Sequence, residues 1–350
     1  MAAPVLDSRL KLASEKRITF GAFLYRQFFV TPTLPRDVDL KGKTAIVTGS
    51  NTGIGLECAR QLLDLGLGKL IIAVRDERKG QAARTQLLSG RRLENSAIEV
   101  WKLDLASYDS VVAFAERSKS LEHLDIVVLN AAVMKVEHRM VESTGHEETL
   151  QVNVLSTILL TILLLPIFKA QKSSEPGRIA WVQSDITSWV KFKEKDSTPL
   201  FPALDKPENF NFPDRYSTSK LLGMLFVTEL ARLVPSSVAI ITMPCPGLCY
   251  GTGLGSVHQK NIGEVIGKIV KRIFGRTSSI GARVITDGVV NHSSKAHGQY
   301  IEDCPIQPLV PFVYTAEADR VTKVLWEETM AELSFAHVQR ILSDLGNVDS

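Results

Sequence analysis

Apolar and polar residues alternate in blocks along the chain, and the blocks predict strands followed by helices. Short apolar runs without polar alternation are typical of parallel strands that are buried on both faces. Longer stretches with helical spacing lie between them. The predicted strands are at 44–47, 69–74, 98–103, 124–129, 178–182 and 238–243, and the predicted helices are at 55–65, 76–88, 107–118, 147–170 and 216–233.

This alternation favours an α/β fold, because a strand that returns parallel to its neighbour needs a crossover connection, usually a helix. Right-handed crossovers then give a single Rossmann-type doubly wound parallel sheet with helices on both faces. We expect a lead-in at 1–41 and one domain at 42–350. That domain includes an insertion at 185–215 and a C-terminal extension at 251–350.

Two apolar segments raise the question of membrane contact. Residues 18–30 are rich in aromatic side chains but contain Arg26, and residues 152–168 are broken by polar residues and Pro166. Both are predicted to fall short of a membrane span. The first segment would form a helix that caps the core, or alternatively one that lies on a membrane surface. The second would form a buried helix at a subunit interface.

The composition is that of a globular protein, with 45% hydrophobic and 23% charged residues in a chain of 350. The net charge of +3 is too small to indicate a nucleic-acid partner. Four cysteines without zinc-type spacing indicate buried thiols in a reducing compartment, rather than a disulfide framework or a metal site. The N-terminus also lacks the pattern of a secretory signal, so we expect a cytoplasmic protein.

A glycine-rich turn separates the first predicted strand from the first predicted helix. Glycines let the backbone approach a pyrophosphate closely, and the helix N-terminus adds free N–H groups. The alternative is a turn that serves packing alone. The predicted cofactor contacts of the turn are Gly49, Asn51, Thr52, Gly53, Ile54 and Gly55.

Arg75, at the end of the second predicted strand, indicates the type of dinucleotide. A carboxylate there would bind the ribose hydroxyls of NAD, whereas a guanidinium matches the 2′-phosphate of NADP. Arg75 therefore predicts NADP(H), unless it is only a solvated charge. Asp76 is expected to cap the next helix. Asp104 would accept from the adenine amino group or cap a helix, and Asn130 follows the fourth strand at the ligand-binding edge.

A tyrosine and a lysine four residues apart are the main sign of catalysis. Tyr216 and Lys220 share one face of a predicted helix, so the ammonium is expected to lower the pKa of the phenol. A tyrosine tuned in this way serves as a general acid or base. Ser184, after the fifth strand, would hydrogen-bond a substrate oxygen. Asn153 is an amide within an apolar helix, where the alternative is a satisfied core group.

In their order along the chain, these motifs resemble those of the classical short-chain dehydrogenases/reductases. The resemblance runs from about residue 43 to residue 246. It rests on the TGxxxGxG turn at 48–55, Asp104, the Asn130-Ala131-Ala132 turn, Asn153, Ser184, the YxxxK pair Tyr216 and Lys220, and Pro246-Gly247.

The resemblance implies a role for each matching residue. Tyr216 would exchange the proton, and Lys220 would lower its pKa and hold the nicotinamide ribose. Ser184 would orient the carbonyl or alcohol, and Asn153 would anchor a water. The remaining cofactor contacts would be Pro246, Gly247, Leu248 and Thr252.

Three positions depart from the family pattern. Ala132 replaces the usual glycine of its turn, and Gln183 replaces the usual serine before Ser184. Gly251 occupies the place of the usual threonine or serine, so Thr252, one residue later, is the candidate for the carboxamide contact.

Two further resemblances concern groups within the family. The glycine turn followed by Arg75 resembles the retinol-dehydrogenase-like branch, and the lead-in and long insertion resemble fungal members that act in secondary-metabolite pathways. In the family, the helices here predicted at 147–170 and 216–233 commonly pair across a two-fold axis. The resemblance therefore implies a homodimer.

The insertion bears on the substrate, because it lies next to the predicted reacting centre. Its aromatic residues predict an apolar pocket wall, or alternatively the anchors of a surface loop. Residues 251–279 would form an opposing lid with hinges at Gly253, Gly255 and Gly263. The aromatic residues are Trp189, Phe192, Phe201, Phe210 and Phe212.

The sequence therefore predicts an NADP(H)-dependent oxidoreductase that interconverts a secondary alcohol and a ketone. Its substrate would be small and hydrophobic, of a polycyclic terpenoid or polyketide kind, in a tailoring step of secondary metabolism. Two alternatives stay open: a membrane-associated retinoid or lipid dehydrogenase, and a non-catalytic NADP-binding sensor or scaffold.

Overall fold

The computed structural model describes residues 8–171, 175–254 and 272–346. Its strands are β1 (Thr44–Thr48), β2 (Lys69–Val74), β3 (Ile98–Lys102), β4 (Ile126–Leu129), β5 (Met140–Val141), β6 (His146–Glu147), β7 (Gly177–Trp181), β8 (Ala239–Cys245), β9 (Cys249–Tyr250), β10 (Arg276–Thr277), β11 (Gln299–Glu302) and β12 (Ile306–Gln307). The main sheet has the spatial order β3-β2-β1-β4-β7-β8-β11-β12. It is parallel except for its last pair, β11 and β12.

Helices cover both faces of the sheet. They are α1 (Ser8–Arg17), α2 (Phe20–Phe29), α3 (Gly53–Asp64), α4 (Glu77–Leu88), α5 (Tyr108–Ser118), α6 (Glu148–Ala170), α7 (Leu200–Asp205), α8 (Asp214–Leu233), α9 (Ser278–Val290), α10 (Ala316–Glu332) and α11 (Val338–Gly346). Alternate strand residues enter different cores: Ile46 packs with α5, α6 and α8, whereas Val47 packs with α3, α4 and α9. The predicted doubly wound α/β fold is confirmed.

The edge of the sheet formed by β11 and β12 is not among the strands predicted from the sequence. Tyr300 and Ile301 are buried there, but polar residues flank them and a turn at Asp303 and Cys304 follows at once. Both turn residues have positive φ, the left-handed region that non-glycine residues seldom adopt. So short a run carries no clear periodicity.

Helix α6 corrects one expectation. By length and composition it could cross a bilayer, whereas its apolar part was predicted to fall short. Inside the protein, 83% of its most apolar window is buried, as in a core helix. Residues Gln151–Leu155 form one π-helical turn, which shifts the helix face at Asn153.

The C-terminal helices cover the outer sides of α6 and α8. Helix α10 packs on α8, and α11 packs on α6. The apolar residues of α8 from Leu221 to Phe226, in the helix that the family resemblance placed at a two-fold axis, are buried within this one chain. Val338 and Leu342 of α11 belong to the same core. The apolar character of α6 and α8 is thus satisfied internally.

The lead-in forms two helices that lie against the domain. Thr19 caps α2 by accepting a hydrogen bond from the Ala22 N–H at 3.3 Å. Phe23 is buried on the inner side of α2. Four aromatic residues of α2 are exposed: Phe20, which stacks on Phe23, and Tyr25, Phe28 and Phe29.

A buried histidine joins the insertion to the C-terminal extension. His146 Nδ1 lies 2.8 Å from Asp205 at the end of α7, and Nε2 lies 3.3 Å from Glu332 at the end of α10. Burial alone would lower the pKa of His146, but the hydrogen bonds and charges of the two carboxylates outweigh it and raise the pKa to about 9.

We predict that this contact makes stability depend on pH. Since the folded pKa of about 9 lies above the ordinary 6.5, the stabilisation is complete below pH 6.5 and is lost as the pH rises through about 9. His146→Gln should remove this component of the free energy of unfolding. We expect a contribution of about 2 kcal/mol, which is less than the full pKa shift implies, because solvent partly screens Glu332. Urea unfolding of both proteins at pH 6 and pH 9.5 measures it, and other titrating groups cancel in the comparison. Parallel losses in the two proteins would contradict the assignment.

Candidate active site

A cavity of about 510 Å³ opens at the carboxyl ends of the strands, next to the point where β1 and β4 diverge. In an open α/β sheet this is where ligands bind. It is lined by residues of the glycine turn, of the segments after β4, β7 and β8, and of α8. From the predicted site it contains Gly49, Asn51, Thr52, Gly53, Ile54, Arg75, Asn130, Ser184, Tyr216, Lys220, Pro246, Gly247, Leu248 and Thr252.

The glycine turn is held against the end of β4 by backbone and side-chain contacts. Thr48 Oγ1 accepts hydrogen bonds from the N–H groups of Asn130 and Ala131, both at 3.0 Å. Asn130 Nδ2 donates to the Thr48 carbonyl at 3.0 Å. A Cβ on Gly55 would lie 2.4 Å from that nitrogen, so Gly55 serves close packing beneath the turn rather than the cavity lining.

The second strand ends as the sequence predicts. Arg75 is exposed and lines the cavity, and the described residues give it no carboxylate or hydrogen-bond partner. Asp76 caps α4, since its side chain accepts from the N–H groups of Arg78 and Lys79 at 3.0 and 3.3 Å. Asp104 accepts from the Ala106 N–H at 3.0 Å in the turn before α5, but the N-cap of α5 is Ser107, so the capping alternative is wrong; Asp104 does not line the cavity, and its adenine contact stays a prediction.

Tyr216, Lys220 and Ser184 come together in the cavity. The ammonium of Lys220 is buried 5.8 Å from the centre of the Tyr216 ring and donates to the Val182 carbonyl at 2.8 Å. The Ser184 hydroxyl is a hydrogen-bond partner of the phenol. Helix α8 and the segment after β7 therefore present a phenol, an ammonium and an alcohol to one space.

Burial reverses one predicted pKa shift in the protein without a ligand. Desolvation raises the pKa of Tyr216 well above its usual range, and only the Ser184 hydrogen bond opposes it. The expectation of a lowered phenol pKa is wrong for this state. Instead, burial lowers the pKa of Lys220 to about 8. Both shifts have the same cause, because removal from water disfavours the charged form of each group.

Asn153 holds two elements together from within the π-helical turn. Its side chain accepts from the Val133 N–H at 2.8 Å and donates to the Val133 carbonyl at 2.8 Å. It also donates to Ser219 Oγ at 3.0 Å, one residue before Lys220. Asn153 is a buried, satisfied amide and does not line the cavity. Its predicted water-anchoring role stays a prediction.

Known proteins of similar sequence show the family to which this chain belongs. A sequence model of the short chain dehydrogenase family matches residues 43–192. The short-chain dehydrogenase fogG of Aspergillus ruber is 47% identical over 342 residues, which cover 95% of this chain and 98% of that protein. The short chain dehydrogenase/reductase mfmJ of Annulohypoxylon moriforme is 41% identical over 327 residues, covering 92% and 94%. This chain belongs to the short-chain dehydrogenases/reductases.

Solved structures share the fold of this dehydrogenase at low identity. The 3-oxoacyl (acyl-carrier-protein) reductase of Agrobacterium tumefaciens, solved with NADP bound, has a TM-score of 0.55 at 18% identity and covers 75% of this chain and 93% of its own. The oxidoreductase yciK of Escherichia coli has a TM-score of 0.56 at 18% identity, with coverage of 77% and 98%. Both support the Rossmann-type architecture.

The aromatic residues of the insertion do not build the pocket wall of this dehydrogenase. Phe192 and Phe201 are buried in the main core, and Phe192 packs on Phe312. Trp189 packs on Phe23 of α2, and Phe210 packs on His138. None of the five lines the cavity formed by the described residues. That prediction is wrong, and the alternative of anchoring aromatics is what the structure contains.

Sequence reasoning also missed lining residues. Asp185 follows Ser184 and lines the cavity, and burial with the nearby Glu302 raises the pKa of Asp185 to about 7. Met134 and Ile186 supply apolar surface. A signal for Asp185 was its charge directly beside a predicted catalytic residue. Of the proposed lid hinges, Gly253 lines the cavity, whereas Gly255 and Gly263 lie outside the described residues.

We predict that Gly55→Ala damages both stability and cofactor binding. The new Cβ would lie 2.8 Å from the Gly49 carbonyl as well as against Asn130, so the turn must shift. We expect a loss of about 1–3 kcal/mol in the free energy of unfolding and weaker NADPH binding, measured by urea unfolding and fluorescence titration. Gly21→Ala in α2 is the matched control, since a Cβ there meets no atom within 4 Å. Unchanged NADPH affinity in Gly55→Ala would contradict the role of this packing.

Proposed function

We propose that the protein is an NADP(H)-dependent oxidoreductase that interconverts a secondary alcohol and a ketone. The observation that carries the proposal is the convergence of Tyr216, Lys220 and Ser184 in the cavity that also contains the glycine turn. A phosphate-binding turn alone would fit a binding protein. The same cavity holds a proton donor beside a cation, which is the equipment for carbonyl chemistry.

The glycine turn and the reacting groups suit a dinucleotide. Gly49 has φ +65° and lies against Ala131, so a side chain there would meet atoms at 3.0 Å and narrow the cavity floor. Gly53 likewise leaves space beside Thr252, because a Cβ at this position would contact that residue. A nicotinamide dinucleotide, when bound, supplies or accepts the hydride. The turn and Asn130 would hold its phosphate end, and Lys220 and Thr252 its nicotinamide end.

The chain's own residues would handle the proton. In reduction, the Tyr216 hydroxyl donates its proton to the substrate oxygen, and in oxidation the phenolate accepts it. Ser184 donates a hydrogen bond to the same oxygen and orients it. The charged form of Lys220 favours the phenolate that reduction leaves behind, because opposite charges attract strongly in a buried site.

Arg75 supports NADP(H) over NAD(H). Its guanidinium borders the cavity at the strand end where a ribose 2′-phosphate would lie. Arg78 and Lys79, exposed at the start of α4, add positive charge nearby. The resemblance of the turn to the retinol-dehydrogenase-like branch also favours NADP(H). This resemblance stays a prediction.

The substrate and setting belong to the proposal as well. Apolar lining from Met134, Ile186 and Leu254 suits a hydrophobic ketone or alcohol of polycyclic terpenoid or polyketide kind. Relatives from fungi support a tailoring step in secondary metabolism, and we propose the cytoplasm as its location. Family members are typically oligomeric, and we propose a homodimer. Because α10 and α11 cover α6 and α8, its contact would use another face.

A membrane-associated lipid or retinoid dehydrogenase is the second candidate. The exposed aromatic side of α2, where Phe29 is 75% exposed, favours it over a lead-in that only caps the core. Sedimentation with phosphatidylcholine vesicles separates the two candidates. A non-catalytic sensor would need the glycine turn but not the catalytic groups.

We predict that Tyr216→Phe abolishes most turnover while the protein stays folded. The change removes only the hydroxyl, so kcat should fall at least about 100-fold with NADPH affinity retained. Lys220→Met should impair turnover and NADPH binding together, and Ser184→Ala should impair turnover alone. The assay follows absorbance of the reduced nicotinamide over a panel of hydrophobic ketones and alcohols.

Tyr25→Phe, on the exposed side of α2, is the matched control for loss of a tyrosine hydroxyl. Near wild-type turnover of Tyr216→Phe on a confirmed substrate would place the proton route elsewhere. No turnover by the wild type across the panel, combined with tight NADPH binding, would favour the sensor.

We predict that Arg75→Ala weakens NADPH selectively. Loss of a charge-assisted hydrogen bond to a phosphate should cost about 1.5–3 kcal/mol of NADPH binding and leave NADH binding almost unchanged. Fluorescence titration with both dinucleotides measures the difference. Arg340→Ala, on α11 away from the cavity, is the matched control. Equal wild-type affinities for NADPH and NADH would contradict the proposal.

A further inference from the structure

Helix α2 contacts two loops that line the cavity. The serine loop, residues 184–190, supplies Ser184 and Asp185, and the proline loop, residues 246–254, supplies Pro246 and Leu248. Both follow neighbouring strands of the sheet, β7 and β8. Helix α2 precedes the segment matched by the family model, which begins at residue 43. Its contacts with the site are therefore an addition to the shared core.

At the proline loop, one glutamine of α2 forms the hydrogen bonds that join the helix to the loop. Gln27 Nε2 donates to the carbonyls of Leu248 and Phe274, both at 3.0 Å. The Leu248 carbonyl also accepts from the Arg276 N–H at 2.8 Å. Gln27 Oε1 occupies the space that a Cβ on Gly247 would enter, at 2.6 Å. The glutamine thus packs directly under the cavity-lining backbone.

At the serine loop, an aromatic contact and a hydrogen bond join the loop to α2. The rings of Phe23 and Trp189 meet edge to face with centroids 5.5 Å apart. Trp189 Nε1 donates to the Ile18 carbonyl at 3.1 Å, just before α2 begins. Phe23 and Gln27 are four residues apart, so one face of the helix reaches both loops.

A buried ionic cluster joins the helix to the proline-loop side of the site, because the N–H of its member Arg276 also donates to the Leu248 carbonyl. Arg26 pairs with Glu302 at 3.3 Å, and Arg17 pairs with the same carboxylate. Arg276 pairs with Asp303 at 2.6 Å and donates to the Arg26 carbonyl at 2.7 Å. These side chains are at most 18% exposed. Buried pairs with additional hydrogen bonds resist separation, because each charge left alone would be unsolvated.

We propose that α2 is a clamp that sets the spacing of the serine and proline loops, and that Gln27 and Phe23 are positioning residues for catalysis. The proposal rests on the proposed function for its kinetic consequence, since catalysis requires Ser184 and the cofactor-binding loop at a fixed separation. Its structural consequence does not require turnover. Release of either contact should loosen both loops, including the one that the changed residue does not touch.

Hydrogen–deuterium exchange with NADPH bound tests the structural consequence. Gln27→Met keeps the side-chain length and removes the donor, and Phe23→Ala removes the ring. We expect each variant to speed exchange in peptides from both loops. Faster exchange only in the loop that the altered residue contacts would overturn the clamp. Phe23→Leu replaces Phe23→Ala if the latter does not fold.

Matched controls separate the clamp from general destabilisation. Gln81→Ala, exposed on α4, and Phe335→Ala, 51% exposed beyond α10, remove the same residue types away from both loops. Their exchange in the two loops should equal that of the wild type. Faster exchange in the controls as well would overturn the proposal, because the loops would then respond to any change in stability.

A double-mutant cycle with benzil as the carbonyl probe tests the kinetic consequence. Each single change should lower kcat/KM about tenfold, through misplacement of the reacting groups. The double variant should lose little more than one single variant, since a clamp released at one end is already released. Losses that multiply to about a hundredfold would show two independent contacts and overturn the clamp. If the wild type does not reduce benzil or any panel ketone, the proposed function fails, and the exchange data still decide the clamp.

Discussion

The hydrogen bonds between Thr48 and Asn130 are the constraint on which the site depends. Strands β1 and β4 are neighbours, but the chain leaves them toward opposite faces of the sheet, into α3 and α6, and a crevice opens between the two exits. Thr48 binds the backbone after β4 through its hydroxyl, and the Asn130 amide binds the backbone after β1. Each strand end therefore satisfies the polar groups of the other. The glycine turn and the segment after β4 are therefore joined directly at the edge of the cavity.

Some charged side chains in this protein form ion pairs that stabilise the fold, whereas others keep hydrogen-bonding groups available in the cavity. Arg17, Arg26 and Arg276 meet Glu302 and Asp303, so their fields are largely neutralised within the cluster. In the described part of the chain, the buried Lys220 ammonium meets only the Val182 carbonyl as a hydrogen-bond acceptor. An ammonium with remaining donors in a water-poor cavity is prepared to bind ribose hydroxyls and to stabilise a phenolate. Burial also raises the pKa of Tyr216, which keeps the proton on the phenol.

The sequence predicted what local pattern determines, and it failed where distant packing decides. Strand ends, the glycine turn and the helical spacing of Tyr216 and Lys220 are local, so their meeting at one sheet edge followed from the parallel topology. The direction of the Tyr216 shift depended on burial by segments far along the chain. The aromatic residues of the insertion show the same limit. An apolar ring such as Phe192 suits a pocket wall or a core equally well until the residue that it packs on, here Phe312, is known. The hairpin of β11 and β12 was too short to carry a period.

The additions to the family core follow one physical rule, which is that an apolar helix face must be covered by something. In this chain, α10 and α11 cover α8 and α6, and the insertion fastens α7 to the end of α10 through His146. The lead-in covers the domain on the side of the cavity, where α2 contacts both the serine loop and the proline loop. Surfaces that a partner subunit could have covered are thus closed by the same chain. Direct side-chain contacts therefore join the insertion, the cavity-lining loops and both terminal extensions to one another, in addition to their attachment to the sheet.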